Sequence, residues 1–192
     1  MPATDLEIAR RASAGDEEAF EALVLRHQDR VYRLALRLTG SPEEAEDVTQ
    51  EAFLKAYRAL GEFDGRSAFY TWLFRIAVNS ALSRLRTLGR RRAREATAAL
   101  GDPAPRMDAA GEPPSRSAGP EEAVLASDVA ARVRRAVDEL APEDRAVVVL
   151  REIEGLSYDE IALAMGATRA AVKSRLHRSR QELARKLRDL VQ

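Results

Sequence analysis

Cysteine is absent from the 192 residues. Neither a disulfide framework nor a thiolate metal site can therefore hold this chain together, and a reducing cytoplasm is its expected compartment. The two histidines, His27 and His177, stand far apart in sequence. That leaves no pattern of metal-ligand spacing, and no metal is expected. No run of about 20 apolar residues exists, so insertion into a membrane is not expected. The first residues are charged and carry no apolar signal segment. Period-two runs of the kind that form half-buried strands are missing. So are a nucleophile elbow, a P-loop and a paired-carboxylate site, so the sequence points away from an enzyme and implies no cofactor and no small-molecule substrate. Net charge is also zero, which taken alone argues against a polyanion partner.

What is present is alanine, leucine and arginine, residues that lose little freedom in a helix. Phe20, Leu23, Val24, His27, Val31, Leu34 and Leu38 recur at three- and four-residue steps, and Gly40 is a natural stop. "SPEE" at 41–44 opens a second helix, with Ser41 as cap, Pro42 at the first helical position and Glu44 completing a capping box. Ala45, Val48, Ala52, Ala56 and Leu60 share its inner face, and Gly61 ends it. A third helix is predicted from Ser67 to Leu88. Residues 89–120 then hold five of the eight prolines, four glycines and no aromatic, a composition too poor in apolar surface to offset the entropy of ordering. Beyond it, helices are predicted over Ala123–Leu140, from Pro142 to Gly155, from the capping box Ser157/Glu160 to Gly166, and from Thr168 onward. The expected fold is all-α: a helical bundle over 1–88, a flexible linker over 89–120 and a second helical domain over 121–192.

The zero net charge conceals blocks. Residues 1–54 carry −6, 55–92 carry +7, 93–120 carry −1, 121–167 carry −6 and 168–192 carry +6. Two basic surfaces, each preceded by an acidic one, suit a polyanion contacted at two places. In the last block, a short helix, the turn Gly166–Ala167–Thr168 and a basic helix form a helix-turn-helix pattern. Ile161, Ala162, Met165, Val172 and Leu176 suit its packed angle. Arg169, Lys173, Ser174, His177 and Arg178 then face outward near the helix start, where such motifs enter the major groove.

Of the ten aromatic residues, four (Phe69, Tyr70, Trp72, Phe74) fall within six positions. Trp72, Leu73 and Phe74 read as core. Phe63, Arg66, Ser67, Phe69 and Tyr70 lie at or beside a loop. Arg75 and Asn79 follow on one helical face. Rings beside cations are what unpaired bases require, stacking for the base and charge for the backbone. A dimeric operator-binding regulator would explain the helix-turn-helix, but not this aromatic and cationic loop.

The segment "DVTQEAFLKAYRALGEFDGRSAFYTWLFRIAVNSALSRLR" (47–86) resembles region two of bacterial sigma factors. The segment "LAPEDRAVVVLREIEGLSYDEIALAMGATRAAVKSRLHRSRQELARKL" (140–187) resembles region four. Their order and short separation resemble the extracytoplasmic-function (ECF) group of the sigma-70 family. That resemblance implies a partner in core RNA polymerase, met by the helix bearing Asp47, Gln50, Glu51 and Lys55. It also implies promoter DNA as ligand. Phe63 to Tyr70 would capture a flipped −10 base, with Arg75 and Asn79 supporting the strand. Arg169, Lys173, Ser174, Arg175, His177 and Arg178 would match the −35 positions. An anti-sigma partner covering both basic surfaces is a further implication.

Overall fold

The computed structural model describes residues 3–98 and 120–188. Among them, eight α-helices and no strand occur. Helix α1 (Asp5–Ser13) starts from a full capping box between Thr4 and Glu7. Helix α2 (Glu17–Thr39) buries Leu23, His27, Val31, Leu34 and Leu38 of the stripe that the periodicity predicts, while Phe20 and Val24 are half-buried at its edge. It stops at Gly40, whose φ of 71° only glycine adopts at little cost.

Helix α3 (Pro42–Arg58) is capped by Ser41, but the box is not closed. Glu44 turns instead to the guanidinium of Arg84 on the next long helix, where a charge-assisted bond outweighs a bond to one backbone N–H. A 3-10 turn (Leu60–Glu62) replaces the stop expected at Gly61. Helix α4 (Phe69–Ala98) buries Phe69, Trp72, Leu73, Phe74, Ala77, Val78, Ala81 and Leu82 between α2 and α3.

The boundary expected after Leu88 is not a helix end, because α4 runs on to Ala98. Arginine and alanine dominate residues 90–98, and their helix propensity carries the helix past Gly89. The remainder of the expected linker, 99–119, lies outside the described residues.

The second unit begins with α5 (Pro120–Asp138) and α6 (Pro142–Val148). A π-helical turn (Val149–Ile153) follows. Helix α7 (Tyr158–Met165) starts from the predicted Ser157/Glu160 capping box and stops at Gly166. Helix α8 (Arg169–Lys186) is capped by Thr168. Ala146 to Leu150, Ile161, Val172 and Leu176 form the core of this unit.

The two units touch. Helices α6 and α7 lie against α4, and α6 reaches the end of α2. Arg145 of α6 donates to the Leu38 carbonyl at 3.0 Å and to the Asp138 carbonyl. Burial lowers the Arg145 pKa, and the neighbouring Asp138 carboxylate partly offsets this. Arg37 meets Glu154 at 2.9 Å, and Arg86 meets Glu143 at 3.1 Å.

Candidate nucleic-acid interface

The loop between the 3-10 turn and α4 is shaped by short-range contacts. The Asp64 carboxylate accepts from the Arg66 backbone N–H at 3.0 Å and pairs with the Arg66 side chain at 2.7 Å. Gly65 has φ 76°, and a Cβ there would lie 2.8 Å from Leu6 Cδ1 of α1. Helix α1 is thus seated directly behind the loop. It is fastened by Asp5, which reaches His27 Nε2 at 2.8 Å and Arg26 at 2.6 Å.

The sequence places five residues of this loop region on the nucleic acid, and the structure separates them. Arg66 and Ser67 are exposed, and Phe63 is half-buried. Phe63 stands edge-on to Phe69 (centroids 5.5 Å apart) and tilted against Trp72 (5.4 Å). Phe69 is only 2% exposed and touches His27 as well as Trp72. As placed it offers no face to a base; it is the floor beneath Phe63. The reason is helical phase, since Phe69 opens α4 on the same side as Leu73 and faces the core. Tyr70 is half-buried, with the Arg30 guanidinium 3.5 Å from its ring centroid. Arg75 is half-exposed and Asn79 exposed, one turn apart on α4.

In the helix-turn-helix, α7 and α8 meet through Ile161, Ala162, Val172 and Leu176, all buried, with Met165 beside them. Lys173, Ser174 and His177 are exposed on α8. Arg169 is exposed and pairs loosely with Asp159 at 3.5 Å. Arg175 and Arg178 are not simply outward. Both are drawn back to Asp144 of α6, Arg178 at 2.8 and 3.0 Å and Arg175 at 3.5 Å. Asp144 is a buried acid that the sequence marks only as part of the helix start, with Pro142 and Glu143.

On α3, Gln50 is exposed, while its charged neighbours are engaged. Asp47 meets Arg84 at 2.7 Å, Glu51 meets Lys55 at 2.6 Å, and Lys55 donates to Ser80 at 3.1 Å. Sequence reading also overlooks an apolar groove between α2 and α3. Phe20, Val24, Gln50, Phe53, Leu54 and Tyr57 line it, around about 520 Å³. Leu54 is 51% and Tyr57 48% exposed. The signal was available, because both are apolar yet lie off the Ala45–Val48–Ala52–Ala56 stripe.

Known proteins share this arrangement. The model for sigma-70 region 2 matches residues 23–91, and that for sigma-70 region 4 matches residues 130–183. The RNA polymerase sigma-H factor of Pseudomonas aeruginosa is 39% identical over 97% of this chain and 95% of its own length. The ECF RNA polymerase sigma-E factor of Escherichia coli is 40% identical over 98% of this chain and 96% of its own. The chain belongs to the ECF sigma factors of the sigma-70 family. A solved structure of CnrH in complex with the cytosolic domain of CnrY covers 96% of this sigma factor and 97% of CnrH, at 30% identity and a TM-score of 0.63. Among the described residues of the sigma factor, no helix is long and apolar enough to cross a membrane. No group of three or more His, Asp or Glu there could hold a metal ion.

Proposed function

We infer that this sigma factor binds core RNA polymerase, directs it to promoters and helps open the −10 region, while the second unit reads the −35 duplex. The observation that carries this reading is the pairing of two different surfaces. One is a half-exposed ring, Phe63, packed on Phe69 and Trp72, with exposed Arg66 and Ser67 in the same loop and Arg75 and Asn79 on α4 beyond Trp72, which suits an unstacked base and its backbone. The other is the exposed start of α8 with Lys173, Ser174 and His177, which suits base edges in a major groove. In this reading the units are region two (1–88) and region four (121–192), and 89–120 joins them. The function resides in binding and opening, with the polymerisation chemistry supplied by the core enzyme, and its setting is the cytoplasm.

Gln50, with the apolar groove at Leu54 and Tyr57, is the natural seat for the polymerase. On the same helix, Asp47 pairs with Arg84, Glu51 with Lys55, and Lys55 also donates to Ser80. The likeness to CnrH, solved with the cytosolic domain of CnrY, supports a bound protein partner here as well, and an anti-sigma factor is the kind that the family resemblance implies.

The test is permanganate footprinting of open complexes on a promoter that this sigma factor serves. Phe63→Ala and Asn79→Ala reduce thymine reactivity at −10 by about tenfold while closed-complex formation persists, equivalent to roughly 1–2 kcal/mol of lost stacking and hydrogen bonding. Unaltered reactivity in both variants overturns the strand assignment.

A further inference from the structure

Helix α2 carries a second row of cations that the block charges hide. Arg26, Arg30, Arg33 and Arg37 follow at steps of four, three and four, which sets them within about 60° of one another around the helix. All four are exposed by residue. The row runs beside Tyr70, with Arg30 over its ring. Arg26 is committed to Asp5 of α1. Arg30, Arg33 and Arg37 thus extend the cationic and aromatic patch away from Phe63, toward the second unit.

The second unit reaches the far end of this extension and leaves Arg33 open. Glu154, on the turn that follows the π-helical segment, has a side chain only 8% exposed and pairs with Arg37 at 2.9 Å. Glu154, Gly155, Leu156 and Glu160 face Arg30, Tyr70 and Phe74 across a cavity of about 200 Å³. A carboxylate therefore occupies the place that a phosphate would take on an arginine row beside a ring. The fit is imperfect. The Tyr70 hydroxyl is buried with no hydrogen-bond partner among the described residues, which makes the contact costly to hold. Burial and the nearby Glu154 carboxylate push the Tyr70 pKa upward.

We propose that Arg30, Arg33 and Arg37, with Tyr70, form a further track for single-stranded DNA, and that the Glu154 turn blocks this track while the two units are docked. Strand entry and undocking are then one equilibrium. DNA replaces Glu154 on Arg37, and the second unit leaves the first. The proposal rests on the reading of Phe63 and Asn79 as strand contacts and lengthens that same path.

The test uses the full chain and a fluorescein-labelled single-stranded oligonucleotide carrying a −10 sequence, with anisotropy followed over a salt series. Arg33→Ala is informative because Arg33 takes part in none of the contacts between the units described above. It weakens binding severalfold and lowers the salt slope by about 0.7, the loss of one phosphate contact on a single strand. Glu154→Gln keeps the shape and removes the charge. It tightens binding by about fivefold, as the competent fraction rises when one partly buried ion pair is lost. With no native cysteine, Ser13→Cys and Ala184→Cys accept a dye pair, and transfer efficiency falls as the oligonucleotide is added. If Glu154→Gln leaves affinity unchanged, the block is wrong; if Arg33→Ala leaves the salt slope unchanged, the track is wrong. In either case, weaker binding by Asn79→Ala in the same assay keeps the underlying strand reading intact. If Asn79→Ala and Phe63→Ala are also silent, that reading fails together with the proposal.

Discussion

Replacing Asp144 with alanine removes a carboxylate that gathers two arginines of α8. Nη2 of Arg178 reaches both of its oxygens, at 2.8 and 3.0 Å, and Arg175 stands at 3.5 Å. The acid side chain is 9% exposed, whereas Arg178 is 61% exposed. That asymmetry sets the magnitude. When the carboxylate goes, both guanidinium groups turn to water, so no buried charge is stranded and the 3–5 kcal/mol cost of a broken buried pair does not apply. What is lost is a charge-assisted hydrogen bond, discounted for solvent at the arginine end, and a favourable carboxylate at the start of α6, for about 2 kcal/mol in all. The assay is denaturant unfolding of Asp144→Ala, Arg178→Ala and the double variant. The expected coupling is about 1 kcal/mol. Additivity within about 0.3 kcal/mol would show that the pair is a surface coincidence. DNA binding gives a second readout. If Asp144 aims Arg178, the ratio of promoter to scrambled duplex affinity falls roughly fivefold in Asp144→Ala, although the chain has become more basic. A rise in both affinities by the same factor would leave only a charge effect.

Further tests address other parts of the chain. Lys173→Ala weakens binding of the −35 duplex by about 1–3 kcal/mol if it reads a base, and an unchanged affinity by titration removes it from that role. Gly65→Ala must hold φ 76° and place a methyl 2.8 Å from Leu6. It costs about 1–2 kcal/mol in thermal or urea unfolding, and a neutral result would mean that α1 does not sit behind the loop. Hydrogen bonds from the Ser157 side chain and backbone lower the Glu160 pKa from its ordinary 4.5. Its stabilisation is therefore present above about pH 4.5 and is lost as pH falls through the lowered value. Melting curves from pH 7 to pH 3 should show the wild type losing ground to Glu160→Gln in that window, and parallel curves would refute the capping role.

Much of the fold is written in local signals that the sequence shows directly. The α2 stripe ends at a glycine with positive φ, and the Ser157/Glu160 box closes as expected, because each feature is fixed by neighbours within four residues. Where a long-range partner competes, local reading fails. Glu44 leaves its cap for Arg84, forty positions away, and Arg178, exposed as expected, is nonetheless held by Asp144, a partner that local reading does not supply. Phe69 shows a third limit. Its loop-edge position suggested exposure, yet it lies on the inward phase of α4 and is buried, while Phe63 remains at the surface. The groove at Leu54 and Tyr57 lies beside the apolar stripe of α3, so the periodicity that marks the core does not mark the groove.

The alternation of acidic and basic blocks takes on a physical meaning in the folded chain. Acids of the first block pair with bases of the second, as in Glu44 and Asp47 with Arg84. Acids of the fourth block pair with bases of the last, as in Asp144 with Arg178, Glu152 with Arg180 and Glu139 with Lys186. Others cross between the units, as in Glu143 with Arg86 and Glu154 with Arg37. Carboxylates are thus already seated on many of the cations a polyanion would meet. DNA then exchanges with internal counter-charges as well as with salt ions, so each contact yields less net gain than on a bare basic surface. Affinity of the isolated chain for arbitrary DNA is held down, while a ligand that satisfies several arginines at once can still displace the acids. Zero net charge and a nucleic-acid partner are therefore compatible, because it is the pairing of the cations, more than their number, that governs access to them.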